Sequence, residues 1–456
     1  MYIQRPVFWS QMLRELDITQ EDLNVAQALQ LVGTAVGCIL LVPFAKKYGR
    51  RPTYIISVAL VTGATLWSAY MTTATEIILS NVLMGLAGAT NETATQMSIR
   101  DMFFVHQRGS ANGLYLIAIA AGAFLAPMAA GIHASISGWR SSYFLLGYFM
   151  IILLVLFILT FEETKYVPAP SGTTKDYYGA DSKLGSIEYE ASVRDKIRQR
   201  PPFPRYLRLQ LITRTNESLW KTFFYPIHAI WYPHIIFTYL EFASGVCWFV
   251  VVSSIAAIVF ARPPYSFNPA QVGLMFGGPL IGSLIGSLYG GLLVDWAIIR
   301  FAIRNKGIFE PEMRLWLVPV PALAMSAGLV IFGVTADRFS PKGMHWAFPS
   351  IGGGLFAFGF GGISDISFTL VIDSFPNIVA QSFVVIAFFR NTISIAGPFS
   401  ISPWLEAMSV SEMFITAGCI SLGIHLTALP LVFWGKRARA KIAPHYQRLA
   451  ERATSV

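Results

Sequence analysis

Charge is scarce in this chain. Only 13% of its 456 residues are Asp, Glu, Lys or Arg, about half of the roughly 25% that an ordinary soluble domain carries. That supply cannot cover the water-facing surface of the three or so soluble domains that the length alone would suggest. Cysteine is equally sparse: Cys38, Cys247 and Cys419 each fall inside an apolar run, which excludes a disulfide framework and a CxxC metal site. There is no GxxxxGKS or GxxxxGKT, no HExxH and no GxSxG, and the 7 histidines are scattered. P-loop pumping, zinc-protease chemistry and serine-hydrolase chemistry therefore have no carrier. No catalytic residue, metal site or cofactor is expected. Residues 1–23 have neither the compact apolar core of a signal peptide nor a run long enough to cross a bilayer.

Apolar residues are what the chain has in excess, at 54% with a mean hydropathy of +0.54. Segments long enough to cross a membrane lie near 24–45, 53–71, 76–98, 110–131, 142–161, 234–260, 270–296, 315–335, 345–369, 379–402 and 412–434. Lipid cannot hydrogen-bond backbone, so these eleven spans must be helices or strands of a closed barrel. Continuous apolar runs without two-residue alternation exclude the barrel. The expected fold is an all-α polytopic membrane protein. Its domains are a helical half of five spans at 24–161, a polar linker at 162–233, a half of six spans at 234–434 and a basic tail at 435–456.

Alternating the spans places every Lys and Arg on one side or the other. Of the 34, 27 fall with the linker and tail and 6 fall opposite, while Arg390 sits inside a span. The positive-inside rule then assigns the linker and C-terminus to the cytoplasm and residues 1–23 to the outside. The net charge of +9 is accounted for by topology, with no nucleic-acid partner; the partners expected are the lipid bilayer and a small-molecule substrate.

The loop after the first span reads Lys46-Lys47-Tyr48-Gly49-Arg50-Arg51-Pro52. A tight glycine turn with two arginines facing a helix end and a carboxylate makes a charge latch that can hold one conformation and release in another. Here the chain resembles the major facilitator superfamily of secondary transporters, whose signature after its second helix is G-x-L-x-D-x-x-G-R-R. Gly49, Arg50 and Arg51 match the second half of that signature, while Val42 and Lys46 replace its first Gly and its Asp. Gly291, Leu293 and Asp295 match the first half, at the corresponding place in the second block. The span at 110–131 carries Gly113, Gly122, Ala126-Pro127 and Ala130-Gly131, the spacing of the family's drug-antiporter motif with Ala twice in place of Gly. Small residues there allow close helix packing and Pro127 bends the helix. The stretch Arg100–Gly109, Phe161-Glu162-Glu163-Thr164 and Arg390-Asn391-Thr392 look like a fungal branch of drug, polyamine and metabolite transporters. The resemblance implies two six-helix halves, a central cavity, alternating access, a monomeric unit in the plasma membrane and protons as the coupling ion. Asn81 stands where the family's fourth helix often carries an Arg linked to proton coupling, so that route is open to question. Eleven spans against twelve also imply that the family's first helix is missing, with residues 13–23 as the outside loop that follows it.

A second close-packing face is the series Gly278, Gly282, Gly286 and Gly290. Charges within spans are expensive and default to function. Arg390 lies about 16 Å into its span at 1.5 Å per residue and needs an anionic partner, a wet cavity or an anionic substrate. Glu241, about 10 Å deep by the same rise, and Glu92 are further candidates for substrate or proton, with Asn391 beside Arg390. The alternative is an interhelical structural pair or, for Glu92 and Asp365 near helix ends, snorkelling. The expected function is secondary active efflux of a drug-like or secondary metabolite. The rivals are an importer of nutrients or polyamines with the same fold, and a truncated protein that does not transport.

Overall fold

The computed structural model describes residues 4–102, 108–164, 223–263, 265–337 and 345–454, so most of the expected linker, with Arg338 and Lys342, lies outside the described residues. Among the described residues there are helices and no strand. In chain order they are α1 Gln4–Glu15, α2 Gln20–Tyr48, α3 Arg50–Tyr70, α4 Ala74–Met102 and α5 Arg108–Thr160 in the first half. The second half has α6 Pro233–Val259, α7 Pro269–Leu274, α8 Gly277–Leu288, α9 Val294–Arg304, α10 Pro319–Asp337, α11 Ala347–Ser374, α12 Val379–Ser394, α13 Ala396–Ala407, α14 Val410–His425 and α15 Ala428–Thr454.

Local chemistry sets the boundaries. Thr19 and Asp22 form a reciprocal capping box at the start of α2, as do Asn268 and Gln271 at α7 and Ser409 and Glu412 at α14; each satisfies two backbone donors that a helix start leaves open. Gly49, at φ 106°, separates α2 from α3, a backbone that only glycine adopts without strain. Gly138, at φ 79°, breaks α5 into two arms. Arg140 Nη1 then donates to the carbonyls of Ala69 and Met71 at 3.1 Å each, closing the C-terminal end of α3.

The eleven expected spans fall on helical stretches, several of them on two or more consecutive helices, yet nine helical stretches among the described residues are long and apolar enough to cross a membrane. Two circumstances account for the difference. The spans 110–131 and 142–161 lie on the two arms of α5, either side of the Gly138 kink, and the arms count together as one stretch. Helix α4 carries Asn81, Thr90, Asn91, Glu92 and Thr93 along its length, which lowers its hydropathy although it packs in the bundle beside α2 and α3. Residues 4–15 belong to the segment that carries no spanning run. They form α1, whose Val7, Phe8, Trp9 and Met12 are buried in the main core, and Trp139 Nε1 donates to Glu15 Oε2 at 2.7 Å. With 12 residues, α1 is too short to cross a bilayer, which takes about 20.

The halves meet along two seams: α2 lies against α12 and α13, and α5 lies against α7 and α8. One end of the bundle, the basic end, gathers Lys46, Lys47, Arg50, Arg51, Arg314 and the tail. The opposite end holds the Glu15–Gln20, Tyr70–Ala74 and Gly138 turns.

Candidate functional site

Midway along the α2–α12 seam, side chains from both halves converge. The carboxylate of Glu92 on α4 is ion-paired with Arg390 Nη2 on α12. Asn391 Nδ2 donates to the same Glu92 oxygen at 2.9 Å and to the Ala387 carbonyl at 2.8 Å, while Arg390 Nη2 donates to Asn391 Oδ1 at 3.4 Å. Cys38 on α2 lies with its sulfur 4.0 Å from Glu92 Oε2, and the Phe242 ring faces the guanidinium at 6.0 Å, within range of a cation–π attraction. The cluster exists because α2 and α4 approach closely. A Cβ on Gly37 would run into the Leu86 carbonyl oxygen and the Ala89 methyl, so the bare backbone at Gly37 brings Cys38 and Glu92 to one place. The Arg390 and Glu92 side chains are 13% and 18% exposed. In such surroundings a charge left without its partner costs about 3–5 kcal/mol. The halves can part here only if another group, water or substrate takes up each charge.

Arg390, Asn391 and Glu92 thus come together, whereas Glu241 stands apart within the second half. Its Oε2 is 2.6 Å from His425 Nδ1, and His425 Nε2 is 3.0 Å from Ser421 Oγ. All three are buried, so α6 is bonded to α14. His425 was not among the candidate residues, although a histidine one turn after Ser421 inside an apolar span is a legible sign of a buried polar pair.

At the basic end the two signature fragments hold separate latches. The backbone N–H groups of Arg50 and Arg51, at the N-terminus of α3, donate to Glu163 Oε1 and Oε2 at 2.9 and 3.2 Å, and Arg51 Nη2 donates to the Ile158 carbonyl at 2.8 Å. A carboxylate at a helix N-terminus is favoured by the helix dipole as well as by these bonds. In the second half Arg314 donates to Asp295 and to Asp373, both at 2.9 Å. Gly291 has nothing within 4 Å of where a Cβ would lie; it sits in a π-helical turn, Tyr289–Leu293, between α8 and α9. Beside this latch His234 Nε2 hydrogen-bonds Glu312 at 3.1 Å, and Arg439 of the tail grips Glu312 with two bonds of 2.7 and 2.9 Å. Burial opposes the charge on Glu312, but the hydrogen bonds from His234 and Arg439 outweigh it and lower its pKa to about 2.

The antiporter-like motif lies on the other seam. A Cβ on Gly131 would meet the Pro269 carbonyl oxygen, and one on Gly273 would stand 2.8 Å from the carbonyl oxygen of Pro127. So Pro127 and Gly131 set how closely α5 meets α7. Among the described residues Gly122 has nothing within 4 Å of where a Cβ would lie, and the surroundings of Gly113 lie outside the described residues. The stripe Gly278, Gly282, Gly286 and Gly290 packs on α11, against Ser350, Gly354, Phe358 and Asp365, a contact within the second half. Among the described residues no cluster of His, Cys, Asp and Glu is arranged to hold a metal ion.

Comparison with known proteins gives a consistent picture. The profile of the Major Facilitator Superfamily matches residues 1–398. An uncharacterized MFS-type transporter of Schizosaccharomyces pombe is 26% identical, covering 96% of this chain and 81% of its own length. Protein HOL1 of Saccharomyces cerevisiae is also 26% identical, over 92% of this chain and 81% of its own length. MFS antiporter QDR3 of Candida albicans is 23% identical, over 95% and 75% respectively.

Proposed function

The chain belongs to the major facilitator superfamily, a family of membrane transporters and not of enzymes; on that premise we propose that it exports small organic molecules by alternating access. The Glu92–Arg390–Asn391 cluster would tie the halves together in one state and release them in the other. The single observation that supports this reading is the charge pair itself: one charge from each half, largely buried, at mid-depth on the seam. Rocking of two halves about such a point is how transporters built from repeats expose a site near the membrane midplane. A substrate or proton that neutralises or replaces either partner lowers the cost of separation, which couples binding to movement. The Candida albicans relative is named an antiporter; in this reading the substrate leaves in exchange for a proton. In this reading the linker and tail face the cytoplasm of a plasma-membrane protein.

The test is accumulation of a panel of labelled drugs and metabolites in a fungal strain stripped of its own exporters. The chain should lower the steady-state level of at least one compound. Arg390→Ala at equal membrane abundance should abolish that effect. Net uptake, or normal export by Arg390→Ala, would refute the reading.

A further inference from the structure

The half of the α2–α13 seam toward the Glu15–Gln20 turn is closed by neutral groups. Ser254 Oγ of α6 donates to Gln27 Oε1 of α2 at 2.9 Å, and Asn24 Nδ2 of α2 donates to Ser402 Oγ of α13 at 3.0 Å. Both bonds cross between the halves. They leave other polar atoms without a bond. Gln27 Nε2, Asn24 Oδ1, Gln30 Oε1 and Asn81 Oδ1 are buried and have no hydrogen-bond partner among the described residues, nor has the indole Nε1 of Trp248 on α6. The four amide side chains are between 1% and 4% exposed. Asn81 uses only its Nδ2, which donates to the Ile77 carbonyl at 2.8 Å. Gln27 and Asn81 face a common void of about 10 Å³, walled by Trp9 and Met12 of α1.

A buried amide that bonds with only part of its capacity destabilises the state that buries it. Packing alone would be served better by leucine at each of these positions. The uneven set of donors and acceptors on Asn24 and Gln27, which bond across the meeting of the two halves, and on Asn81, which shares a void with Gln27, is accounted for if these atoms are satisfied in another state. Parting the seam frees the groups now bonded across it and turns them, with the unpartnered atoms, toward the opening. Gln27 Nε2 supplies donors, Asn24 Oδ1 and Asn81 Oδ1 supply acceptors, and none carries charge. We propose that Asn24, Gln27 and Asn81 form a hydrogen-bonding subsite for an uncharged polar group of the transported molecule, a hydroxyl, carbonyl or amide, exposed when this part of the seam opens. The inference rests on the export reading for the identity of its ligand, while its geometry is separate from the Glu92–Arg390 pair.

The experiment measures equilibrium binding of two labelled probes to the purified full chain. Cycloheximide is uncharged and bears hydroxyl, ketone and imide groups; tetraphenylphosphonium is a permanent cation without a hydrogen-bonding atom. Gln27→Leu should weaken cycloheximide binding about tenfold, the scale of a lost hydrogen bond with a buried partner left over, and leave tetraphenylphosphonium within about twofold. Gln27→Asn should recover most of the loss. Separately, Gln27→Cys, in a chain with Cys247 and Cys419 replaced by serine, should react with a membrane-impermeant maleimide, and cycloheximide should slow that reaction. The same chain with Gln27 intact sets the blank. Equal losses for both probes, no cycloheximide binding by the unaltered chain, or an unreactive Gln27→Cys would each overturn the subsite. Export of other compounds by the unaltered chain would survive that outcome. Failure to export anything, with the probe selectivity intact, would remove the export reading and leave the subsite.

Discussion

Glu92 and Arg390 each have a physical reason to be costly, and each offsets the cost of the other. Removing one partner leaves an uncompensated charge among Phe242, Cys38 and Asn391, and that loss should exceed what either contributes to the assembled pair. Glu92→Gln and Arg390→Gln should therefore each lower transport strongly, on the order of a hundredfold. The double variant should fall much less than the two losses combined, with a coupling energy of about 1–3 kcal/mol in a double-mutant cycle. Transport rates at matched membrane abundance check this; strictly additive losses would mean that the two act independently. Both residues are legible in the sequence as charges inside apolar runs. Their pairing is not legible, because Asn391 and Glu92, bonded in the same cluster, are 299 positions apart. Glu241 looks equivalent in sequence, but its partner is His425 of its own half. Glu241→Gln is accordingly expected to lower the melting temperature by loosening α6 from α14.

Helices in this bundle approach one another through glycine, but only at particular positions of each glycine series. Gly282 faces the Gly354 backbone and Gly131 faces the Pro269 backbone, while Gly122 has nothing among the described residues within 4 Å of where a Cβ would lie. Gly282→Leu should destabilise the second half by a few kcal/mol, as overpacking against backbone does, seen as a drop in melting temperature. Gly131→Leu should impair transport as well, because its clash lies between the halves. Gly122→Ala should be neutral or slightly stabilising through helix propensity. A Gly122→Ala chain that lost transport would show that this position has a partner in another state. The sequence spacing marked all of these as one kind of position. Which of them faces backbone depends on helix rotation and crossing, which spacing does not encode. Helix starts at Thr19, Asn268 and Ser409 are set by their partners three residues on, local contacts that need no tertiary packing.

For the molecule as a whole, the tail is fastened to the basic end through Glu312. Its folded pKa of about 2 lies below the ordinary 4.5, so its contribution to stability is complete above about pH 4.5 and is lost as pH falls toward 2. The melting-temperature gap between the unaltered chain and Glu312→Gln should thus stay constant between about pH 5 and 8 and close below that range. A gap that changes through neutral pH would assign the fastening to histidine. The N-terminal residues show the opposite balance of local and long-range information. They are too short to register as a span, and their burial comes from α5, α6 and α7 packing around Val7, Phe8, Trp9 and Met12.

Hydropathy, the run lengths and the loop charges were enough to establish a helical membrane protein, and the signature fragments its resemblance to a transporter family, because bilayer thickness and backbone hydrogen bonding act on every residue locally and leave a mark in order along the chain. Which charge meets which, which glycine is needed, and whether the two signature fragments share one latch or hold two were decided by the packing of helices from distant parts of the sequence. Gly49–Arg51 met Glu163 and Asp295 met Arg314 because each helix end is closed by the nearest carboxylate or guanidinium in space. That proximity is a property of the folded bundle, and no interval in the sequence records it.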